Sequence, residues 1–403
     1  MTVVDEQVAR AEEAFDGLTG RRPEGVWSAP GRVNLIGEHT DYNDGCVLPF
    51  AIHLRTAVAV GRRRDGWIRA VSLQQPGGEV AVPVGALAPG SVPGWAGYVA
   101  GVVWALRDAG FEVASGADMV VDGAVPPGSG LSSSAALECA VAFALAELAG
   151  AGPGGAGPNR GASWLDGLRP ELARLAQRSE NDFVGVPCGL MDQMAALAAT
   201  EGHALYLDVR SGRAEQIPLD PARAGLALLV IDTHVRHAHA GGAYKDRRDA
   251  CLEAARRLGV DTLRDVDPDG LDEALRRLAD SPVLARRVRH VVTEQARTEE
   301  AARLLRAGRL EQLGPLLEAS HRSLRHDFEV SVPELDAVVA AARAAGAAGA
   351  RLTGGGFGGS VIALVPADRV ESVSVAVAEA VSGGPAPTVM AVAPSGGARR
   401  DRP

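Results

Sequence analysis

The chain of 403 residues is 46% hydrophobic and 23% charged, with a formal net charge of -9. That composition supplies apolar material for two domain cores and argues against the basic surface of a nucleic-acid binder. Cys46, Cys139, Cys188 and Cys251 form no CxxC or Cys/His cluster, no apolar run approaches the ~18 residues of a membrane span, and MTVVDEQVARAEEAF is too acidic for a signal peptide, so a cytoplasmic protein without zinc is expected.

Val4, Val8, Ala11, Phe15 and Leu18 recur at helical spacing and predict a first helix ending near Gly20. Residues 28–50, SAPGRVNLIGEHTDYNDGCVLPF, place a short strand at Val33, Leu35 and Ile36. A dense polar run follows, Glu38, His39, Thr40, Asp41, Tyr42, Asn43 and Asp44. A structural loop seldom gathers so many ionisable groups, because each must be solvated or paired, whereas a sugar's hydroxyls suit such a row of donors and acceptors. Strands are predicted over 52–60, 67–73 and 117–122, and a helix over 95–110.

The strand at 117–122 feeds PPGSGLSSSAA (126–136) and a helical run, AALECAVAFALAELA. A glycine turn opening a helix is a ready anion site, since free N–H groups and the helix dipole both favour negative charge. Lysine-bearing phosphate loops are excluded, because the chain's single lysine is Lys245. Positive charge must come from backbone dipoles, a metal ion and arginine.

Residues 150–163 are Gly/Pro-rich and read as a flexible surface loop. A helix over 170–183 carries Glu180, and CGLMDQMAALAA begins a second with Asp192 in its first turns. The two carboxylates are expected to face one cavity. A buried strand over 225–232 precedes a helix beginning at Tyr244, and further helices cover 271–279, 283–307, 310–325 and 333–345. TGGGFGG (353–359) allows a close backbone approach, to a nucleotide or to a neighbouring chain segment, ahead of a strand VIALV. A strand over 387–393 comes next, and the tail from 395 to 403 is expected to be disordered.

Three of these stretches together resemble the GHMP kinase family. GRVNLIGEHTDYNDGCVLP (31–49) is similar to the sugar-binding signature of its galactokinase branch, PPGSGLSSSAA to its phosphate loop and TGGGFGG to its third motif. CGLMDQ (188–193) and DFEVSVPELD (327–336) also match. Ser360 stands where a cysteine is frequent, and Gly-Gly-Ala precedes Tyr244 in place of Gly-Ser-Glu.

The resemblance implies an α+β, two-domain fold. An N-terminal α/β domain (1–200) would contain a left-handed βαβ crossover, and a C-terminal domain (201–394) would pack helices on an antiparallel sheet, with the active site between them. It implies ATP-dependent phosphorylation of the anomeric hydroxyl of galactose, the opening step of galactose catabolism. The alternatives are another sugar, or a non-catalytic galactose and ATP sensor. Glu38, His39, Asp41, Gly189 and Tyr244 would bind the sugar, and Gly128, Ser129, Gly130, Leu131, Ser132, Ser133 and Ser134 would wrap the nucleotide phosphates. Ser134 and Glu180 would hold Mg2+. Asp192 would take the proton of the attacking hydroxyl, and Arg32 would stabilise the transferring phosphoryl group. A monomer with no nucleic-acid or membrane partner is expected.

Overall fold

A computed structural model describes residues 3–75, 77–150, 163–236, 240–381 and 385–403. The chain opens with helix α1 (Val3–Thr19), then strands β1 (Gly25–Asn34), β2 (Cys46–Val47), β3 (Pro49–Arg62), β4 (Trp67–Ser72) and β5 (Val80–Pro83). Helix α2 (Trp95–Asp108), β6 (Gly116–Gly123), α3 (Ser133–Ala149), α4 (Ser163–Arg178), α5 (Met191–Ala198), β7 (His203–Asp208), β8 (Arg213–Pro218) and β9 (Leu226–Arg236) follow. A helical stretch contributes α6 (Ala240–Leu258), α7 (Leu271–Arg277), α8 (Pro282–Arg306), α9 (Gly314–His326) and α10 (Pro333–Ala344). The last elements are β10 (Gly349–Thr353), β11 (Gly358–Pro366), α11 (Val370–Glu379), β12 (Thr388–Val392) and β13 (Arg399–Arg402).

Six strands form the first sheet in the order β13-β1-β3-β6-β4-β5, with β4 parallel to β6 and the other pairs antiparallel. A four-stranded antiparallel sheet runs β10-β11-β9-β12, and a small one runs β2-β7-β8. The expected boundary at 200/201 falls in the turn between α5 and β7.

α3 shows why the phosphate loop is held so firmly. Its middle is apolar almost all round, so Ala135 to Ala146 are buried, against β1 and β3 on one side and α2 and α4 on others. It ends at Gly150 in a left-handed cap. Leu131, the one bulky residue of the turn before it, is fully buried in a cluster with Val33, Leu35, Phe50, Leu228 and Ile362. That cluster draws on both large sheets, so the loop is anchored where they meet.

Two expectations are corrected. The helix predicted over 170–183 is α4 as far as Arg178 and then a wider π-type turn over Ser179–Val184, which carries Glu180. One extra residue per turn re-aims the side chains, and such turns recur at functional sites. The segment 395–403, expected to be disordered, is ordered. Ser395 bridges to Ala51, and β13 pairs with β1. Its arginines find partners across the sheet edge: Arg400 pairs with Glu147 at 3.0 Å and lies over Trp27, and Arg402 pairs with Glu12 at 2.8 Å. Fully buried Arg55 donates to the carbonyls of Gly396 and Gly397, both at 2.8 Å.

The Gly/Pro-rich loop predicted at 150–163 lies outside the described residues at 151–162. Among the described residues no helix is long and apolar enough to cross a membrane.

Candidate active site

Two adjoining cavities lie where β1, the phosphate loop, α5 and the 353–359 turn meet, and Val186 lines both. The smaller, of about 210 Å³, is lined by Arg32, Glu38, His39, Asp41, Gly189, Asp192 and Tyr244, among others. The larger, of about 560 Å³, takes in Gly128, Ser133, Ser134 and Glu180 at one end and Gln74, Trp95 and Tyr98 on its walls. Asp192 and Glu180, expected in one cavity, thus line neighbouring ones.

Arg32 links the two halves of the site. Its side chain is 6% exposed, and its guanidinium makes a fork on Asp192, Nε to Oδ1 at 2.9 Å and Nη2 to Oδ2 at 2.9 Å. Nη1 donates to the carbonyl of Gly130 at 2.6 Å, tying this pair to the phosphate loop. The Ser132 hydroxyl donates to Asp192 Oδ2 at 2.5 Å. Of the seven expected phosphate-wrapping residues, only Gly128, Ser133 and Ser134 line the larger cavity. Ser129 is buried with its hydroxyl on Pro126, Leu131 is core, and Ser132 faces Asp192.

TGGGFGG approaches the neighbouring chain. Gly130 has φ +76°, and a side chain there would also meet the Thr353 carbonyl at 3.1 Å. The Ser360 hydroxyl donates to the Ser129 carbonyl at 2.7 Å. The third motif therefore clamps the back of the phosphate loop.

Glu38 is 2% exposed and its oxygens are already committed. They accept from Asn34, from the Gly354 N–H at 2.7 Å and from Thr353 at 3.3 Å, and they pair with Arg351 at 2.6 Å. It lines the cavity mainly as the fastening of the 353–355 turn. His39 is buried, its Nδ1 lies 2.9 Å from the Tyr42 hydroxyl, and its Nε2 has no partner among the described residues. Burial first, and then His290, hold its pKa well below the ordinary value, so the ring is neutral. A buried ring nitrogen without a partner is what a ligand hydroxyl would satisfy.

Asp41 is pushed up to about 6, first by burial and then by the charge of Asp192. Its neighbour Gly189 has no room for a side chain, since a Cβ would sit 1.7 Å from Asp41 Oδ2. Tyr244 closes the cavity, with its ring 5.5 Å from His39 and 5.6 Å from Tyr42.

Glu180 is pushed up to about 7, first by burial and then by Asp192, with Ser134 pulling the other way, and Gln193 Nε2 donates to it at 3.0 Å. Sequence reasoning missed three features here. Glu138 of α3 is fully buried with no hydrogen bond of normal geometry, near Glu180 and Gln193, and burial keeps its pKa well above the usual carboxyl range. Trp95 and Tyr98 on the first turn of α2 look like ordinary amphipathic-helix residues in sequence. Gln74 follows β4 and has no signal of its own.

The chain matches three family models: the galactokinase galactose-binding signature over 13–62, the GHMP kinases N terminal domain over 97–200 and the GHMP kinases C terminal over 301–383. It is 50% identical over 390 residues to a galactokinase of Streptomyces coelicolor, covering 96% of this chain and 97% of that one. It is 47% identical over 348 residues to a galactokinase of Mycobacterium tuberculosis, with 86% and 91% covered. Its structure is similar to that of Lactococcus lactis galactokinase complexed with galactose, with a TM-score of 0.89 and 32% identity over 99% of this chain and 100% of that one. A mevalonate kinase structure at 17% identity, covering 93% of this chain and 98% of that one, has a TM-score of 0.60 and shares the fold.

Proposed function

Because this chain belongs to the galactokinases, within the GHMP kinase family, we propose that it transfers the γ-phosphoryl group of ATP to the anomeric hydroxyl of D-galactose, giving galactose 1-phosphate and ADP. The observation that carries the reading is the Arg32 fork, which joins Asp192 in the small cavity to Gly130 of the phosphate loop. Galactose takes the small cavity, against His39, Asp41 and Tyr244, with the absent side chain of Gly189 leaving Asp41 its place. Glu38 holds the wall behind. The nucleotide takes the larger cavity, its phosphates at Gly128, Ser133 and Ser134 and its base toward Trp95 and Tyr98.

In the reaction the sugar O1–P bond forms as the bond from the γ-phosphorus to the bridging oxygen breaks, and ADP leaves. Asp192, at the boundary of the two cavities, receives the hydroxyl proton. Arg32 meets the spreading negative charge from the loop side and keeps Asp192 in one rotamer, as does Ser132.

Mg2+ fits the residues present. The Ser134 hydroxyl and the Glu180 carboxyl are hard oxygen donors, and Glu180 has no ion-pair partner among the described residues. When bound, Mg2+ supplies positive charge against the nucleotide phosphates. A cytoplasmic location is part of the same reading, supported by four unpaired thiols, three of them buried, and the protein is proposed to act as a monomer.

ADP release from purified protein, Mg-ATP and a panel of monosaccharides tests the proposal. Turnover with galactose supports it. Turnover with a different sugar only, or galactose binding without turnover, overturns it.

A further inference from the structure

We propose that the groove between α8 and α9 is a second anion site, built for a phosphate group and coupled to the sugar loop. Arg289, Thr293 and Arg297 stand at four-residue spacing on α8, facing Arg322 and His326 of α9 across a cavity of about 350 Å³. Helix seams ordinarily bury apolar side chains at such spacings. Here they gather three guanidinium groups and an imidazole on a chain whose net charge is -9.

The counter-charges are few. Asp327, also in the groove, lies 3.2 Å from Arg289, and Glu294 lies 2.7 Å from Arg297. The side chains of Arg322 and His326 have no partner among the described residues. Arg297 is the decisive group. Its side chain is 14% exposed, and its Nη2 is buried without a hydrogen-bond partner among the described residues. Leaving such a donor unpaired is costly, and a turn of the side chain toward the groove would offer it an oxyanion as acceptor. Three arginines around one cavity match a phosphate dianion.

Both walls of the groove reach the sugar loop. Glu294 accepts from Arg297 Nε at 2.7 Å and from the Gly37 N–H at 3.0 Å. His290 lies 2.9 Å from the Ser323 hydroxyl and 3.1 Å from the Glu38 carbonyl, and Ser323 donates to Asp327 at 3.0 Å. An anion that draws Arg297 toward itself releases Glu294 Oε2, so the carboxylate that holds the Gly37 N–H can shift, and with it the start of the loop bearing Glu38, His39 and Asp41. Coupling of this kind is reciprocal, so galactose in turn weakens the anion.

Inorganic phosphate and α-D-glucose 1-phosphate, each titrated calorimetrically with the nucleotide cavity saturated by MgADP, provide the test. The tighter of the two names the source, free phosphate or a monoester. Arg322→Ala, an exposed change away from both cavities, is expected to weaken binding at least about tenfold. Phosphate is expected to raise the KM for galactose at least about twofold in the parent and not in Arg322→Ala, while the two proteins share one response of the KM for ATP. No binding to the parent, or equal binding to both proteins, overturns the site. Binding that leaves the galactose KM unchanged overturns the coupling.

Discussion

Asp41→Asn is expected to stabilise the protein at the expense of sugar binding. Burial and the nearby Asp192 raise the Asp41 carboxyl from 3.8 to about 6. The folded chain therefore holds this proton more tightly than the unfolded chain does. Below pH ~4 the group is protonated in both states and carries no penalty, and between about 4 and 6 the penalty grows until it is complete. A shift of about 2 pKa units corresponds to about 3 kcal/mol lost above pH 6. Asparagine keeps the shape and the acceptor for the Tyr42 N–H at 2.9 Å, with no charge to bury. With ~2.1 cal/mol/K of unfolding entropy per residue, 3 kcal/mol over this chain is a Tm gain of about 3–4 °C at pH 8. The gain should shrink as the pH is lowered through 6 toward 4. Galactose affinity should fall at least about tenfold, since an amide presents a donor where the hydroxyls meet an acceptor. Scanning calorimetry from pH 5 to 8, with isothermal titration by galactose, measures both. A Tm difference that does not change with pH, or an asparagine variant less stable at pH 8, refutes the reasoning.

The parent protein should lose kcat/KM for galactose as the pH falls below about 6, the value at which Asp41 takes up its proton, and a profile flat to pH 5 would contradict this. Asp192→Asn should bind galactose and nucleotide normally while kcat drops by about 10²–10⁴; near-normal kcat in a destabilised variant would remove Asp192 from the chemistry. Gly189→Ala should raise the KM for galactose at least about tenfold by displacing Asp41, with the KM for ATP unmoved. Ser134→Ala should lower activity in a way that extra Mg2+ partly restores, and wild-type kinetics at limiting Mg2+ would exclude Ser134 as a ligand. D-Galactose should be preferred to D-glucose by at least about 100-fold in kcat/KM, from one or two lost buried hydrogen bonds.

What could be read in the sequence was chemistry concentrated in contiguous runs. Residues 38–44 and 126–136 carry their own signals, because ionisable groups and turn residues pack densely there for reasons a solvated loop does not supply. What could not be read depends on partners far along the chain. Trp95 and Tyr98 satisfy a helical pattern whether they face a core or a cavity. Glu38 looks like a ligand group until Arg351 and the Gly354 N–H are brought to it. The segment 399–402, Arg-Arg-Asp-Arg, reads as solvated because nothing local tells that Glu147, Glu12 and Trp27 will line its path. The π-type turn at 179–184 has no periodicity distinct from the helix that it continues.

The placement of β13 has a consequence for biosynthesis. Arg55 and the carbonyls it holds are separated by 341 and 342 residues of chain. At roughly 5–20 residues per second, a ribosome needs on the order of 20–70 s to deliver the second after the first. During that interval β1, the strand that carries Arg32, is an open sheet edge, and a guanidinium destined for full burial has only Ser28 of β1 to donate to. The nascent first half is therefore exposed to edge-to-edge pairing with its neighbours on a polysome, and chaperone engagement belongs to that window. The first sheet is complete only late in synthesis, when residues 399–402 pair with β1.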